Sequence, residues 1–149
     1  MPTLEILRKD MFLARKNGDV EKANILSLAI ASILNFKIEV QREITQDDIV
    51  SILRKEEKKL KEAFEQFSTN GRDDLAQREK LQLEVIKSYL PSLMSTEEVE
   101  GVVKAKLATM SDVTPRDMGK IMGMMMSELK GKADGNVVSD VVKKLLTQE

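Results

Sequence analysis

Five lysines in the last thirty residues have the charge and spacing best suited to a chemical task, which is the binding of anions. They flank the turn between two predicted helices: Lys120, Lys130, Lys132, Lys143 and Lys144. Together with Arg116 they make six basic residues against four acidic ones in the same segment, Asp117, Glu128, Asp134 and Asp140. Two interpretations are open, because such lysines either satisfy the negative ends of helix dipoles or form a surface for phosphate groups.

The composition excludes most familiar catalytic and metal sites. The 149 residues include no cysteine and no histidine, which removes thiolate nucleophiles, thiolate metal ligands and the commonest general base. The carboxylates, the hydroxyls and the single tyrosine, Tyr89, are spaced as on helix surfaces and do not form a converging cluster. The sequence therefore predicts no catalytic residue, no metal site and no cofactor.

Charge and hydropathy also limit the partners. The 24 basic residues nearly balance the 25 acidic ones, so a nucleic acid would have to be held by a local patch. The N-terminal residues predict no signal peptide, and the longest apolar-rich stretch, residues 25–34, is shorter than the roughly 20 residues that cross a bilayer. We therefore expect a cytoplasmic protein that binds neither membranes nor DNA.

Apolar periodicity predicts an all-α protein with two parts. Residues 1–90 are expected to form a bundle of about four helices, and residues 91–149 a compact three-helix subdomain. The boundary is placed at Pro91, because proline disfavours helical geometry at the residue before it. The second helix, about residues 19–40, is apolar almost all round, which predicts that neighbouring helices enclose it.

Short motifs predict several helix ends. Thr45 and Ser95 each stand three residues before an acid, the spacing of a capping box, and Pro115 after Thr114 suits the first helical position. Within the third helix, residues 54–62 are rich in basic side chains with acidic ones interleaved among them. We interpret that run as a solvated face with ordinary ion pairs, in preference to a basic surface for RNA.

Glycines mark the predicted sixth helix and the turn after it. Gly119 and Gly123 lie one turn apart inside the helix, where each costs about 1 kcal/mol relative to alanine. Either a neighbouring helix approaches closely there, or the bare backbone admits a ligand or an RNA phosphate. Gly131 suits the left-handed residue that ends the helix, and Asp134 before Gly135 suits the cap of the next one.

The C-terminal segment resembles the tail domain of the GatB subunit of glutamine-dependent aspartyl/glutamyl-tRNA amidotransferase. The similar stretches are residues 118–120, residues 129–135 with their Lys-Gly-Lys-Ala turn, and residues 137–146. In the GatB tail the turn continues with Asn-Pro where this chain has Asp134-Gly135, and both versions supply a cap and a helix start. Nearly the whole chain is similar to the small stand-alone YqeY proteins, including residues 84–91 and 95–98.

The resemblance implies a helical bundle followed by a three-helix tail, and it implies that the tail is the part that meets tRNA. The large catalytic domain of the amidotransferase has no counterpart here. Our leading hypothesis is a non-catalytic, tRNA-associated binding module, accessory to tRNA-dependent amidation. Its expected partners are tRNA and a tRNA amidotransferase or aminoacyl-tRNA synthetase complex. Its expected contacts are the five lysines named above.

Two other classes of function remain open. The first is a protein-interaction adaptor without RNA binding, docking through the N-terminal bundle or through Met124 and Met126, whose flexible side chains suit an adaptable surface. The second is a carbon–nitrogen ligase that uses glutamine as amide donor, which the missing catalytic domain disfavours.

Overall fold

The computed structural model describes residues 1–147, which form helices joined by short turns without any strand. The all-α prediction is confirmed. Two compact units result, Met1–Pro91 and Ser92–Glu149, and the second is described as far as Thr147. The helices are α1 (Leu4–Lys16), α2 (Val20–Val40), α3 (Gln46–Thr69), α4 (Asp73–Ser88), α5 (Thr96–Ala108), α6 (Met118–Glu128) and α7 (Gly135–Thr147), with a short 3-10 turn, Pro115–Asp117, before α6.

The N-terminal unit is built around aliphatic side chains from all four of its helices. Leu7 of α1, Leu26 of α2, Leu53 of α3 and Ile86 of α4 are completely buried and belong to one cluster. Helix α2 packs against α1, α3 and α4, which gives it the central place that its apolar sequence predicts.

Helix α2 is nevertheless less enclosed than predicted. The side chains of Val20, Leu28 and Ile38 are 62%, 53% and 73% exposed. Three neighbouring helices cover most of its circumference and leave one strip uncovered, a tertiary effect that periodicity cannot show.

By length and composition alone, α2 with its 21 residues is also the one helix in the described part of the chain that could cross a membrane. Its packing against three helices accounts for the apolar residues on its inner side.

The charged run of α3 is not simply a solvated face, contrary to the prediction. Glu56 and Glu57 are only 5% and 9% exposed. Each is compensated within the helix: Glu56 lies 3.6 Å from the ammonium of Lys59, and Glu57 lies 3.5 Å from the guanidinium of Arg54. Such pairing offsets the cost of removing a carboxylate from water. Arg54 also donates a 2.6 Å hydrogen bond to the carbonyl oxygen of Pro91, the last residue of this unit.

The capping box predicted at the start of α3 is present and is reinforced by an arginine. The backbone N–H of Thr45 donates to the Asp48 carboxylate (2.8 Å), and the N–H of Asp48 donates to the Thr45 hydroxyl (3.1 Å). Arg42 donates two further hydrogen bonds, at 2.7 and 3.0 Å, to the same carboxylate. The guanidinium of Arg42 first, and the N–H of Thr45 second, hold the pKa of Asp48 far below its usual value.

We predict that Asp48→Asn lowers the free energy of unfolding by about 1 kcal/mol at neutral pH, the usual value of a helix cap. Because the pKa of Asp48 is lowered in the folded state, its contribution is complete above the unfolded value of about 3.9 and declines as the pH falls below it. Urea titrations from pH 7 to 2.5 should therefore show wild type and variant converging in acid. Asp47→Asn, which leaves the capping box intact, is the control, and parallel curves for Asp48→Asn and wild type would contradict the prediction.

Candidate nucleic-acid interface

The C-terminal unit places α7 against both α5 and α6. Its core is small and aliphatic, with one thioether at the centre. The residues that are completely or almost completely buried come from all three helices: Val99, Val103, Ile121, Met125, Val138 and Val142. The lysines predicted to bind anions lie on the outer surfaces of α6 and α7 and in the turn that connects them.

Helix α6 begins slightly later than predicted. Thr114 precedes the helix as predicted and forms a capping box with Asp117, in which the N–H of Thr114 donates to the Asp117 carboxylate at 2.9 Å. However, Pro115–Asp117 adopts a 3-10 turn, and the α-helix starts at Met118. Three-residue 3-10 turns are common at helix starts. Lys120 is therefore in the first turn of α6, fully on its exposed side.

The turn from α6 to α7 is held in one conformation by three local features. Gly131 has φ +76°, the left-handed geometry predicted for it. The Asp134 carboxylate accepts a 2.7 Å hydrogen bond from the N–H of Asn136, so Asp134 caps α7 as predicted. The carbonyl oxygen of Lys132 accepts a 2.9 Å hydrogen bond from the N–H of Met94, which ties the turn to the segment before α5. The backbone that carries Lys130 and Lys132 is thus fixed.

All five candidate lysines are exposed, and four of them make no ion pair within residues 1–147. The exception is Lys144, whose ammonium lies 3.6 Å from the carboxylate of Glu100 on α5. Glu100 also pairs with Lys104 at 3.7 Å. Sequence spacing predicts the pair of Glu100 and Lys104, which are four residues apart on α5. It cannot predict the contact of Glu100 with Lys144, because that contact depends on the packing of α5 against α7. Lys144 is therefore the weakest of the five candidates.

The acidic residues of the same segment are mostly engaged. Asp117 and Asp134 serve as helix caps, and Glu128 lies 3.5 Å from the ammonium of Lys106. Of the four acids counted in the sequence, Asp140 alone has neither a cap nor an ion pair in the part of the chain described. Three of the four acids are therefore engaged with groups other than the five candidate lysines.

The lysines without ion pairs are distributed over α6, the turn and α7. Lys130 and Lys132 share the turn. Lys120 precedes Lys130 by ten residues, about 15 Å along a helix axis, and Lys143 lies eight residues after the start of α7, about 12 Å along that helix. Such spacing does not suit a single small anion. It suits a polymer whose phosphates repeat along its length.

The glycines of α6 have no packing role, so the interpretation that a neighbouring helix approaches them is wrong. A Cβ atom added to Gly119 or Gly123 would meet nothing within 4 Å among the described residues. Both glycines lie on the exposed face, on the same side as Lys120. Gly135 differs, since its added Cβ would come to 3.8 Å from the Met126 sulfur, an ordinary contact. The helix backbone at Gly119 and Gly123 is thus open to solvent.

Met124 and Met126 do not form the exposed methionine surface considered above. Met126 packs against the buried core of the C-terminal unit, and Met124 is half-buried. Met126 is therefore part of the packing of this unit. Neither methionine exposes enough surface to form an adaptable docking site.

The fold and the site define a small all-α protein in which a four-helix unit precedes a three-helix unit with exposed lysines at its connecting turn. A family model described as "Yqey-like protein" matches residues 4–146. The chain belongs to the YqeY-like family, as the resemblance predicted.

Two kinds of relative are similar to this chain. "Altered inheritance of mitochondria protein 41, mitochondrial" of Pyrenophora tritici-repentis is 26% identical over 143 residues, covering 94% of this chain and 78% of the relative. The E subunit of glutamyl-tRNA(Gln) amidotransferase from Thermococcus gammatolerans is 30% identical over 148 residues, covering 95% of this chain and 23% of that subunit. The corresponding protein of Methanobrevibacter smithii is 45% identical over 56 residues, covering 35% of this chain and 9% of the relative. The chain therefore corresponds to less than a quarter of the Thermococcus protein.

We predict opposite effects of alanine at two kinds of glycine in this unit. Gly119→Ala and Gly123→Ala should each stabilise α6 by up to about 1 kcal/mol, because alanine is the better helix former and the added methyl group meets nothing. Gly131→Ala should destabilise by about 1–2 kcal/mol, because its φ of +76° is unfavourable for a residue with a Cβ. Thermal and urea unfolding measure both. Loss of stability in Gly119→Ala would show that something covers that face.

Proposed function

We propose that the protein is a non-catalytic tRNA-binding module, accessory to glutamine-dependent amidation of misacylated tRNA. The observation that carries the proposal is the set of exposed lysines that make no ion pair within residues 1–147, Lys120, Lys130, Lys132 and Lys143, on the turn and its two helices. The similarity of nearly the whole chain to part of an amidotransferase supports tRNA as the polyanion. An amidotransferase or aminoacyl-tRNA synthetase complex is the corresponding protein partner.

The recognition we propose is of phosphate positions and shape. Folded RNA is read largely through its backbone and 2′-hydroxyls, which suits lysines placed at the turn and about 12–15 Å along the helices from it. Single-stranded nucleic acids are usually bound by stacking on aromatic side chains, and this chain is only 3% aromatic and has no tryptophan. Lys130 and Lys132 would contact phosphates at the turn, with Lys120 and Lys143 extending the contact along α6 and α7. The exposed backbone of Gly119 and Gly123 would let a phosphate approach beside Lys120.

The compartment stays a prediction. The sequence led us to expect a cytoplasmic protein, whereas the Pyrenophora relative is named as mitochondrial. A tRNA-binding role is compatible with either compartment, since both contain tRNA.

Removing the two turn lysines is the most direct test of tRNA binding. We predict that bulk tRNA binds at low salt, that binding weakens as salt rises, and that Lys130→Ala/Lys132→Ala lowers both affinity and salt slope. Each lost phosphate contact should reduce the slope of log affinity against log salt by about 0.7–0.9. Lys55→Ala/Lys58→Ala, which removes two exposed charges from α3, is the matched control and should bind as wild type. Absence of binding at about 50 mM salt, or equal losses in both double variants, would contradict the proposal.

The glycines provide a second test that separates binding from folding. If a phosphate lies against the open backbone of α6, Gly119→Ala/Gly123→Ala should weaken tRNA binding several-fold although the protein becomes more stable. Filter binding at fixed salt, together with an unfolding curve for each variant, measures the two effects separately. Unchanged affinity in the stabilised variant would show that no phosphate approaches this face.

A further inference from the structure

Helix α2 has an outward strip without any charge. The strip consists of the exposed residues Val20, Asn24, Leu28, Ala31, Asn35 and Ile38. From Ala23 to Phe36 the helix has no charged residue at all, although 33% of the chain is charged, so a stretch of this length would ordinarily have four or five. Burial explains the inner side of α2, but it does not explain the outer side.

The outer side departs from what solvent exposure requires. A helix on the surface of a soluble domain normally presents charged and polar residues on its outer face. Here three large aliphatic side chains occupy it, and the two polar residues between them, Asn24 and Asn35, carry side-chain amides that both donate and accept hydrogen bonds. Uncharged surfaces of this kind are typical of faces that become covered.

We propose that the strip packs against the same strip of a second copy, with the two α2 helices antiparallel about a two-fold axis. Such an interface must be complementary to itself, and the order of residues along the strip satisfies this condition. With the axis between residues 29 and 30, Leu28 lies opposite the small Ala31 of the other copy. Asn24 lies opposite Asn35, so that the two amides can hydrogen-bond. The ends bring Val20 close to Ile38.

Shallow grooves beside α2 suit this arrangement. Val20 lines a groove of about 450 Å³ with Leu81 and Val85 of α4, and a second groove of about 190 Å³ with Ala14 of α1. An aliphatic side chain at the end of the partner helix, Ile38, would enter either groove beside Val20. Large side chains thus meet spaces or small residues along the strip, as close packing requires.

The available area is that of a small dimer interface, and the charge pattern of the strip favours a copy over charged partners. The strip is about 28 Å long, and the flanking helices lie about 8–10 Å to each side, so the face between the axes of α1 and α4 measures roughly 450–560 Å². A standard interface uses about 800 Å² from each partner. The strip itself has no charge to attract RNA or a charged peptide, whereas a copy presents the same uncharged strip. Charged residues lie only beside it, among them Glu21 and Glu84 in the groove next to Val20.

Sedimentation of the nuclease-treated full chain tests the dimer. We expect the mass of a dimer at micromolar concentrations, and Leu28→Lys should weaken the association at least tenfold, because it places two ammonium groups near the axis. Leu93→Lys is the matched control: it adds the same charge at a leucine that is 41% exposed and belongs to the C-terminal unit, outside the layer of α1, α2 and α4, and it should leave the association unchanged. Circular dichroism verifies that both variants are folded. A wild-type protein that is monomeric at about 100 μM would overturn the proposal.

Cysteine cross-linking tests the orientation, since the chain has no cysteine of its own. An equal mixture of Asn24→Cys and Asn35→Cys proteins should form a disulfide-linked heterodimer on oxidation. Neither variant should cross-link to itself, because identical residues would be offset by eleven residues, about 16 Å along the helices. Self-cross-linking of Asn24→Cys alone would show parallel packing and overturn the proposal. So would a monomer that floats with phosphatidylcholine vesicles and loses that binding in Leu28→Lys, since a lipid surface would then cover the strip.

Discussion

Every helix begins with backbone N–H groups that have no partner in the helix, and satisfying them is the constraint from which the surface of the C-terminal unit follows. Asp117 and Asp134 are used for this purpose at the two helices of the candidate site. Their carboxylates point at backbone N–H groups and not at side-chain ammonium groups. Lys120, Lys130, Lys132 and Lys143 have no acidic partner within residues 1–147, so one requirement of folding also helps to determine where positive charge is available for an external anion.

The turn between α6 and α7 places its two lysines on an ordered backbone. Gly131 permits a left-handed residue, and the hydrogen bond from Met94 to Lys132 fixes the turn against the segment before α5. Lys130 and Lys132 thus have long flexible side chains on a backbone that is already ordered. Ordering that backbone is not a cost of binding, although immobilising each lysine side chain remains one. Lys144, already engaged with Glu100, would additionally have to exchange one partner for another.

What the sequence predicted correctly was local. Thr45, Ser95 and Asp134 cap helices because their motifs lie within four residues, and Gly131 is left-handed because few other residues tolerate that geometry. Apart from the 3-10 turn that delays the start of α6, the predictions that failed depended on what lies across a helix. The burial of Glu56 and Glu57 and the open strip of α2 could not be obtained from spacing, since periodicity shows that a face is apolar and not what covers it. Gly119 and Gly123 are a further example. The sequence allowed two explanations for them, a neighbouring helix or an approaching ligand. The structure excludes the neighbouring helix, because nothing in residues 1–147 lies within 4 Å of an added Cβ.

The division of the chain into two units gives the proposed dimer a physical consequence for RNA binding. The uncharged strip belongs to the N-terminal unit and the free lysines to the C-terminal one, so association through the strip would use none of the lysines. A dimer would contribute two sets of lysines, and the second set would bind at an effective concentration set by the connection between them. Weak phosphate contacts of a nearly neutral protein would then gain affinity without any added charge. That gain arises only if both sets reach the same RNA, and otherwise each copy binds as a monomer would.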